Sequence, residues 1–283
     1  MKDAIFKVYK SCVLEIANNA YKNVRNRKFK LDYYLNNFLL LLNDVNKWKT
    51  LSVINQNQKK FHWKTIYNEF MKWSKDNIFK IAFEKFINTN YFKHSKVRQN
   101  KKLNLFIDVT KIHNLKGCDG ITINNEYVKK NITPLTVLCD KDKLPIGISV
   151  LKPKTYYSNG RKTSCHDVTG VQDVLDSVSL QIPKYVKCNV IGDKGYISSN
   201  KFVIGKHSIN LTTPKRKNQK IKTSKPAKKK LKGRYKIENL FATIKANERI
   251  NVRHERKLIN YLSFVYTSFL IEHIKHYIKR GVL

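Results

Sequence analysis

Acidic residues are scarce in this chain. Its 283 residues include 57 Lys and Arg but only 20 Asp and Glu, which gives a formal net charge of +37. A charge of that size opposes compaction unless a polyanion offsets it. Phosphates neutralised by Lys and Arg supply most of the non-specific affinity of proteins for nucleic acid, so the composition favours a nucleic-acid partner. An anionic membrane surface is the competing interpretation, but the chain has no run of about 18 apolar residues that could span a membrane.

Several motifs are absent as well. The five cysteines are an odd number and contain no CxxC pair, which argues against a disulfide framework and against a zinc ribbon. No GxxxxGK[ST] motif is present, which argues against a nucleotide-driven motor. The first 22 residues carry Glu15, Asn18 and Asn19 where a secretory signal would have its apolar core. We therefore expect an intracellular protein, cytoplasmic in a bacterium and nuclear or virus-associated in a eukaryotic or viral setting.

The first hundred residues have the periodicity of helices. One face of a predicted helix carries four aromatic residues at helical spacing: Trp63, Tyr67, Phe70 and Trp73. A second helix follows, so 61–87 is typical of a helix-turn-helix. We predict that 1–100 is a helical DNA-binding region, with Lys64 and Lys72 off the aromatic face and available to DNA. Core packing is the favoured explanation of the aromatic stripe itself, and the two interpretations are compatible.

After residue 100 the pattern changes to alternating strands and helices. Strands are predicted at 103–109, 131–138, 144–151, 185–193 and 208–213, and helices at 166–178, at 198–206 and twice after residue 236. The first three strands should form an antiparallel meander. Residues 101–283 are therefore predicted to form an α/β domain, with a mixed five-stranded sheet flanked by helices.

The segment from Pro214 to Lys236 is strongly basic. Twelve of its residues are Lys or Arg, and it contains no acid. One interpretation is a solvated loop or a nuclear-import signal. The other is a DNA clamp, in which Lys228, Lys229 and Lys230 contact phosphates.

Three acids stand out from the rest. Asp108 lies within an apolar run, Asp193 ends a predicted buried strand between Gly192 and Gly195, and Glu238 lies on a predicted helix. Burying an unpaired carboxylate costs several kcal/mol, so buried acids are usually paired or bound to metal. Hard divalent cations prefer oxygen ligands, and two such ions can cleave a phosphodiester. The sequence thus predicts a site for two Mg²⁺ or Mn²⁺ ions, although an Asp at a strand end is often only a turn or cap residue.

The blocks around these acids resemble the DDE transposases of the bacterial insertion-sequence type. The first blocks are Ile107–Thr110, the Cys-His-Asp of 165–167, and the GDKGY sequence at Gly192–Tyr196. The closing block, Arg234, Glu238 and Lys245, is similar to the family's Tyr-x2-Arg-x3-Glu-x6-Lys signature, with Leu231 in the Tyr position. The resemblance covers roughly residues 61–280.

The resemblance implies an RNase H-like catalytic domain that cuts and rejoins DNA with two Mg²⁺ or Mn²⁺ ions. Asp108, Asp193 and Glu238 match the catalytic, metal-holding triad, while Arg234 and Lys245 match positions that grip DNA. The implied partners are element ends and target DNA, and the implied assembly on DNA is a homodimer. An element-derived DNA-binding protein without catalytic activity is the alternative, and a basic structural or RNA-binding protein is a further one.

Four residues near these blocks are assigned secondary roles by the same resemblance. His166 and Asp167 match a His-Asp block near the active site, and Lys194 and Tyr196 belong to the GDKGY block. For Asp167, capping the helix that follows it is an equally good explanation.

Overall fold

The computed structural model describes residues 1–24, 27–43, 47–55, 62–95, 97–124, 130–151, 157–158, 161–162, 167–198, 200–215 and 225–283. The chain forms two compact units. The helical unit comprises Met1–Ile87, Lys116–Asp119 and Ile244–Leu283, and the sheet unit comprises Asn88–Leu115 and Gly120–Thr243. The predicted division at residue 100 differs from this one, because the last forty residues join the N-terminal helices rather than the sheet.

Most of the described helices lie near the two ends of the chain. In order, they are α1 (Lys2–Ala20), α2 (Leu31–Asn43), α3 (Thr50–Ile54), α4 (Trp63–Lys75), α5 (Ile78–His94), α6 (Val97–Asn100), α7 (Val171–Asp176), α8 (Lys225–Leu231), α9 (Tyr235–Lys245), α10 (Glu248–Asn251) and α11 (Leu258–Lys279). Within the described ranges, none is both long enough and apolar enough to cross a membrane.

The core of the helical unit is aromatic and is closed by α11. The ring of Phe70 on α4 stacks on that of Phe264 on α11, with centroids 4.6 Å apart. The hydroxyl of Tyr9 on α1 donates to Thr267 Oγ1 on α11 at 3.1 Å. The predicted helix pair is present as α4 and α5. The aromatic stripe of α4 serves the core, since Phe70 and Trp73 are fully buried.

The strands form one large sheet and one small hairpin. In chain order, they are β1 (Lys102–Asn114), β2 (Thr122–Asn124), β3 (Lys130–Asp140), β4 (Pro145–Val150), β5 (Tyr157–Ser158), β6 (Arg161–Lys162), β7 (Lys187–Ile191), β8 (Phe202–Ile204), β9 (His207–Thr212) and β10 (Val252–Arg253). The hairpin is β5 with β6.

The sheet of the sheet unit is mixed, as predicted. Its order is β2-β3-β1-β7-β9-β8, and β4 also pairs with β3. β3 runs antiparallel to β1 and to β4, which confirms the meander. β7 runs parallel to β1, and β9 runs parallel to β7. The described part of the sheet therefore contains the five predicted strands, and β2 and β8 extend it.

The helix predicted at 198–206 is wrong, because Phe202–Ile204 within this segment form β8. β8 pairs antiparallel with β9 through a tight turn at Gly205, whose φ of +54° suits glycine. Phe202 and Ile204 are buried while Val203 between them is exposed, which is the alternation of a strand with one covered face. A short apolar run fits a helix and a strand almost equally well, and here the pairing with β9 selects the strand.

The basic segment at 214–236 is partly helical. Residues 216–224 lie outside the described part of the chain. Residues 225–231 form α8, and Lys232–Arg234 continue it as a 3₁₀ turn. Lys228, Lys229 and Lys230 are all exposed. The loop interpretation therefore does not hold for the described end of this segment.

Candidate active site

The sheet register places Asp108 and Asp193 at one edge. On the parallel strands β1 and β7, Phe106 pairs with Ile191. Asp108 is two residues after Phe106, and Asp193 is two residues after Ile191. Both carboxylates therefore lie at the same height along the two strands. Gly192 allows close packing here, because a Cβ on it would lie 3.0 Å from Ile107 Cγ2 and 2.8 Å from the Tyr196 ring.

The turn after β7 holds Asp193 and brings Asp167 beside it. Asp193 caps the 3₁₀ turn Lys194–Tyr196, and its Oδ1 accepts a hydrogen bond from the Gly195 backbone N–H at 2.7 Å. A Cβ on Gly195 would lie 3.0 Å from Asp193 Oδ1 and 3.0 Å from Asp167 Oδ2. The glycine therefore leaves room for two carboxylates to approach the same point, and the exposed side chain of Lys194 lies outside that contact.

Asp108 is held in an environment that disfavours its charge. Burial, together with the charges of Asp193 and Asp167, raises the pKa of Asp108 to about 6. The Val109 backbone N–H, which donates to Asp108 Oδ1 at 2.9 Å, and the charge of Arg234 act in the opposite direction. Three carboxylates and one guanidinium are therefore close enough to influence one another.

The hydroxyl of Tyr196 lies among these charges. The Tyr196 side chain is fully buried, and its Oη has no hydrogen-bond partner among the described residues. Burial raises the pKa of Tyr196, and the carboxylates of Asp167, Asp108 and Asp193 raise it further. A buried polar group without a partner is rare, and at an active site it is a candidate for contact with a ligand.

Close packing positions Arg234. A Cβ on Gly233 would lie 2.7 Å from Phe106 Cζ, so glycine lets this turn sit against β1 without displacing the Phe106 ring. The next residue, Arg234, thereby comes near Asp108, and its buried Nε has no hydrogen-bond partner among the described residues. An unpaired guanidinium N–H beside carboxylates is suited to an anionic substrate group.

Glu238 and Lys245 lie further along α9. Glu238, in the first turn of the helix, is exposed, whereas Ile237 and Leu240 form part of the buried face. Lys245, at the end of α9, is half-buried, and burial lowers the pKa of Lys245. The carboxylates that influence Asp108 are thus those of Asp193 and Asp167, and the structure gives Glu238 no contact with them.

The remaining predicted residues are spread over other surfaces. His166 lies outside the described residues. Lys64 is exposed, but Lys72 covers the Tyr21 ring, with its Nζ 4.3 Å from the centroid. Lys230 Nζ approaches Asn189 Oδ1 at 3.5 Å.

The residues fit a hard divalent cation by their chemistry. Asp108 Oδ1 and Asp193 Oδ1 each accept one backbone hydrogen bond, and the second oxygen of each carboxylate has no hydrogen-bond partner among the described residues. All-oxygen donors of this kind are the ligands that Mg²⁺ and Mn²⁺ prefer. No group of three or more His, Cys, Asp or Glu within the described ranges is placed to hold an ion as the side chains stand.

Asp167 is the residue whose position the sequence could not predict. The register of β1 and β7 explains why Asp108 meets Asp193, but Asp167 opens the 3₁₀ turn Asp167–Gly170 that precedes α7 and belongs to no strand. The one signal for it in the sequence is the resemblance of the His-Asp block, which assigned Asp167 a secondary role.

Comparisons with known proteins give one structural likeness. No protein-family model matches the chain, and no curated protein matches it. Among solved structures, the chain is similar to a piggyBac transposase in a cryo-EM synaptic complex with hairpin DNA. The TM-score is 0.44 and the identity 11%, over 98% of this chain and 72% of that one. A TM-score of 0.44 is too low to establish a common fold.

Proposed function

We propose that this chain is a DDE-type transposase, of the insertion-sequence kind that its motifs resemble, which cuts and rejoins DNA with divalent metal ions. The observation that carries the proposal is the meeting of Asp108 and Asp193 at one edge of the mixed sheet. Two half-buried carboxylates at the level where β7 ends cost the fold stability, and they are an arrangement that a metal-dependent nuclease needs.

The strand order supports an RNase H-like catalytic domain. β4, β3, β1, β7 and β9 lie side by side, with β3 antiparallel to its two neighbours and β1, β7 and β9 parallel. The central strand, β1, carries Asp108, and its parallel neighbour leads into Asp193. Parallel strands end at the same edge, which is where α/β folds place their sites.

The chemistry we assign to the metal ions is activation of water and stabilisation of the leaving 3′-oxygen, as in other two-metal enzymes. Asp108 and Asp193 would hold two Mg²⁺ or Mn²⁺ ions, and Glu238, one helical turn after Arg234, is the third ligand that the motif implies. Arg234 offers a guanidinium N–H to the scissile phosphate. The hydroxyl of Tyr196 is a donor for an oxygen held between the carboxylates.

The rest of the molecule binds and positions DNA in this proposal. A net charge of +37 supplies non-specific affinity for phosphates. Lys228, Lys229 and Lys230, exposed on α8, are placed on the element that leads directly to Arg234 and can fix a DNA backbone near the cut. Lys64 on α4 and Lys245 on α9 are further candidate contacts. Two copies of the chain would bridge the two element ends.

Cleavage of DNA by the purified full-length chain tests the proposal. We expect nicking of supercoiled DNA in Mg²⁺ or Mn²⁺ and none in EDTA. D108N should abolish cleavage while DNA binding stays within about twofold, because the carboxylate holds metal and contacts no phosphate. D173N is the matched control, since Asp173 is an exposed acid on α7 of the same unit, and it should cleave normally.

Two results would contradict the proposal. Binding of DNA without metal-dependent cleavage by the wild type would favour the element-derived DNA-binding protein instead. Equal loss of binding and cleavage in D108N would mean that Asp108 supports the fold rather than the reaction.

A further inference from the structure

We propose that Asp167 is a metal ligand of this site and shares a divalent ion with Asp193. The inference rests on the proposed function, and it gives a direct role to a residue that its motif placed only near the site.

Gly195 sets an upper limit on the distance between the two carboxylates. Asp167 Oδ2 and Asp193 Oδ1 each lie 3.0 Å from the position that a Cβ of Gly195 would occupy. Their separation is therefore at most about 6 Å. One ion with oxygen ligands at about 2.0–2.6 Å spans about 4–5 Å between opposite ligands, so a single cation can bridge this pair. A side chain at position 195 would press on both oxygens.

A second observation at the same place points to a ligand. The hydroxyl of Tyr196 is fully buried and has no hydrogen-bond partner among the described residues. Besides burial, the carboxylates of Asp167, Asp108 and Asp193 raise the pKa of Tyr196, so the hydroxyl lies within reach of their charges. A metal-bound water or a phosphate oxygen in that space would give the hydroxyl the partner that it lacks.

Helix capping is the competing role for Asp167, and the two roles can be separated. Asp167 opens the 3₁₀ turn before α7, and Asn caps helices as well as Asp does. D167N therefore keeps the capping oxygen and removes the charge that a cation requires. A capping role predicts that D167N behaves like the wild type, whereas a ligand role predicts loss of metal affinity without loss of fold.

Binding of Mn²⁺ to the full-length protein without DNA provides the test, with free Mn²⁺ measured by electron paramagnetic resonance. D167N should weaken binding of one ion by at least about tenfold. Even residues that only support a metal's ligands typically contribute about tenfold or more to metal affinity. G195A should weaken binding as well, because its Cβ would lie 3.0 Å from both oxygens and force them to shift. D173N, which removes an exposed acid six residues away, should match the wild type. The thermal midpoint of D167N should stay within a few degrees of the wild-type value.

The outcomes distinguish this inference from the proposed function. If the wild type cleaves DNA with Mn²⁺ and D167N binds Mn²⁺ with wild-type stoichiometry and affinity, Asp167 is not a ligand and the proposed function stands. A D167N protein that fails to fold would assign Asp167 a structural role and would also overturn the inference. A wild-type chain that neither binds Mn²⁺ nor cleaves would overturn both.

Discussion

Removing the charge of Asp108 should make the metal-free protein more stable. In the folded chain, burial and two neighbouring carboxylates raise the pKa of Asp108 from its ordinary 3.8 to about 6. The folded state therefore holds this proton more tightly than the unfolded state does. The ionised carboxylate opposes folding above pH 6, and this cost disappears as the pH falls from about 6 towards 3.8.

The size of the effect follows from the two pKa values. A difference of about 2 pKa units corresponds to about 3 kcal/mol. Asp108 is only partly buried, so solvent screens its charge and reduces the cost to about 1–2 kcal/mol. Asn keeps the acceptor for the Val109 N–H and carries no charge. We expect D108N to exceed the wild type in free energy of unfolding by that amount at pH 7.5 and to match it near pH 4.

The positions of the tryptophans decide how this difference in stability should be measured. The three tryptophans, Trp48, Trp63 and Trp73, lie in the helical unit, whereas Asp108 lies in the sheet unit. Urea unfolding in EDTA should therefore be followed by far-UV circular dichroism and not by tryptophan fluorescence. Burial also raises the pKa of Asp140 to about 6, so a pH profile of the wild type alone would report both acids. The difference in free energy of unfolding between D108N and the wild type reports Asp108 alone.

A matched control uses the acid on α9. Glu238 is exposed, so E238Q should leave the unfolding curve unchanged at both pH values. If D108N were no more stable than the wild type at pH 7.5, the carboxylate would carry no cost in the fold. The inference that the charge of Asp108 destabilises the metal-free fold would then be wrong.

Three further predictions concern metal, DNA and the helical core. Mg²⁺ at about 100 times its dissociation constant should stabilise the wild type by about 2.7 kcal/mol and D108N by much less, as measured by the same urea curves. Replacing Lys228, Lys229 and Lys230 with Gln should flatten the slope of log affinity against log salt by about two to three, and an unchanged slope would show that α8 does not hold DNA. A fragment of residues 1–100 lacks α11, so it should show little helical signal in circular dichroism. Adding a peptide of residues 244–283 should restore that signal. A fragment that is fully helical on its own would contradict the conclusion that α11 completes the helical core.

The sequence predicted those parts of the site that depend on local pattern. The apolar runs of β1 and β7 are recognisable because each is short, apolar and bounded by turn residues. The parallel pairing of β1 with β7, which places Asp108 near Asp193, comes from the structure and not from these runs. The mixed sheet and its antiparallel meander follow from the same runs.

The parts that failed depend on contacts distant in sequence. The apolar residues of β8 fit a helix until β9 is available to pair with them. The place of α11 among the N-terminal helices depends on packing such as Phe70 on Phe264, and no periodicity records it. Asp167 reaches Asp193 because position 195 has no side chain, which becomes visible only once the turn after β7 is built.

Because the helical unit is divided between the two ends of the chain, the two units cannot fold at the same time during synthesis. A ribosome completes residues 88–243, and so the whole sheet unit, before it makes α11. Domains generally fold as units during synthesis, so the sheet unit can fold while α1 and α4 still lack the helix that closes their aromatic core. The nascent protein would then hold the strands β1 to β9 with the carboxylates in place before its helical unit exists as a folded body. A chain interrupted shortly before residue 258 would carry the sheet and leave Phe70 and Tyr9 without their partners, a state that invites aggregation or chaperone binding.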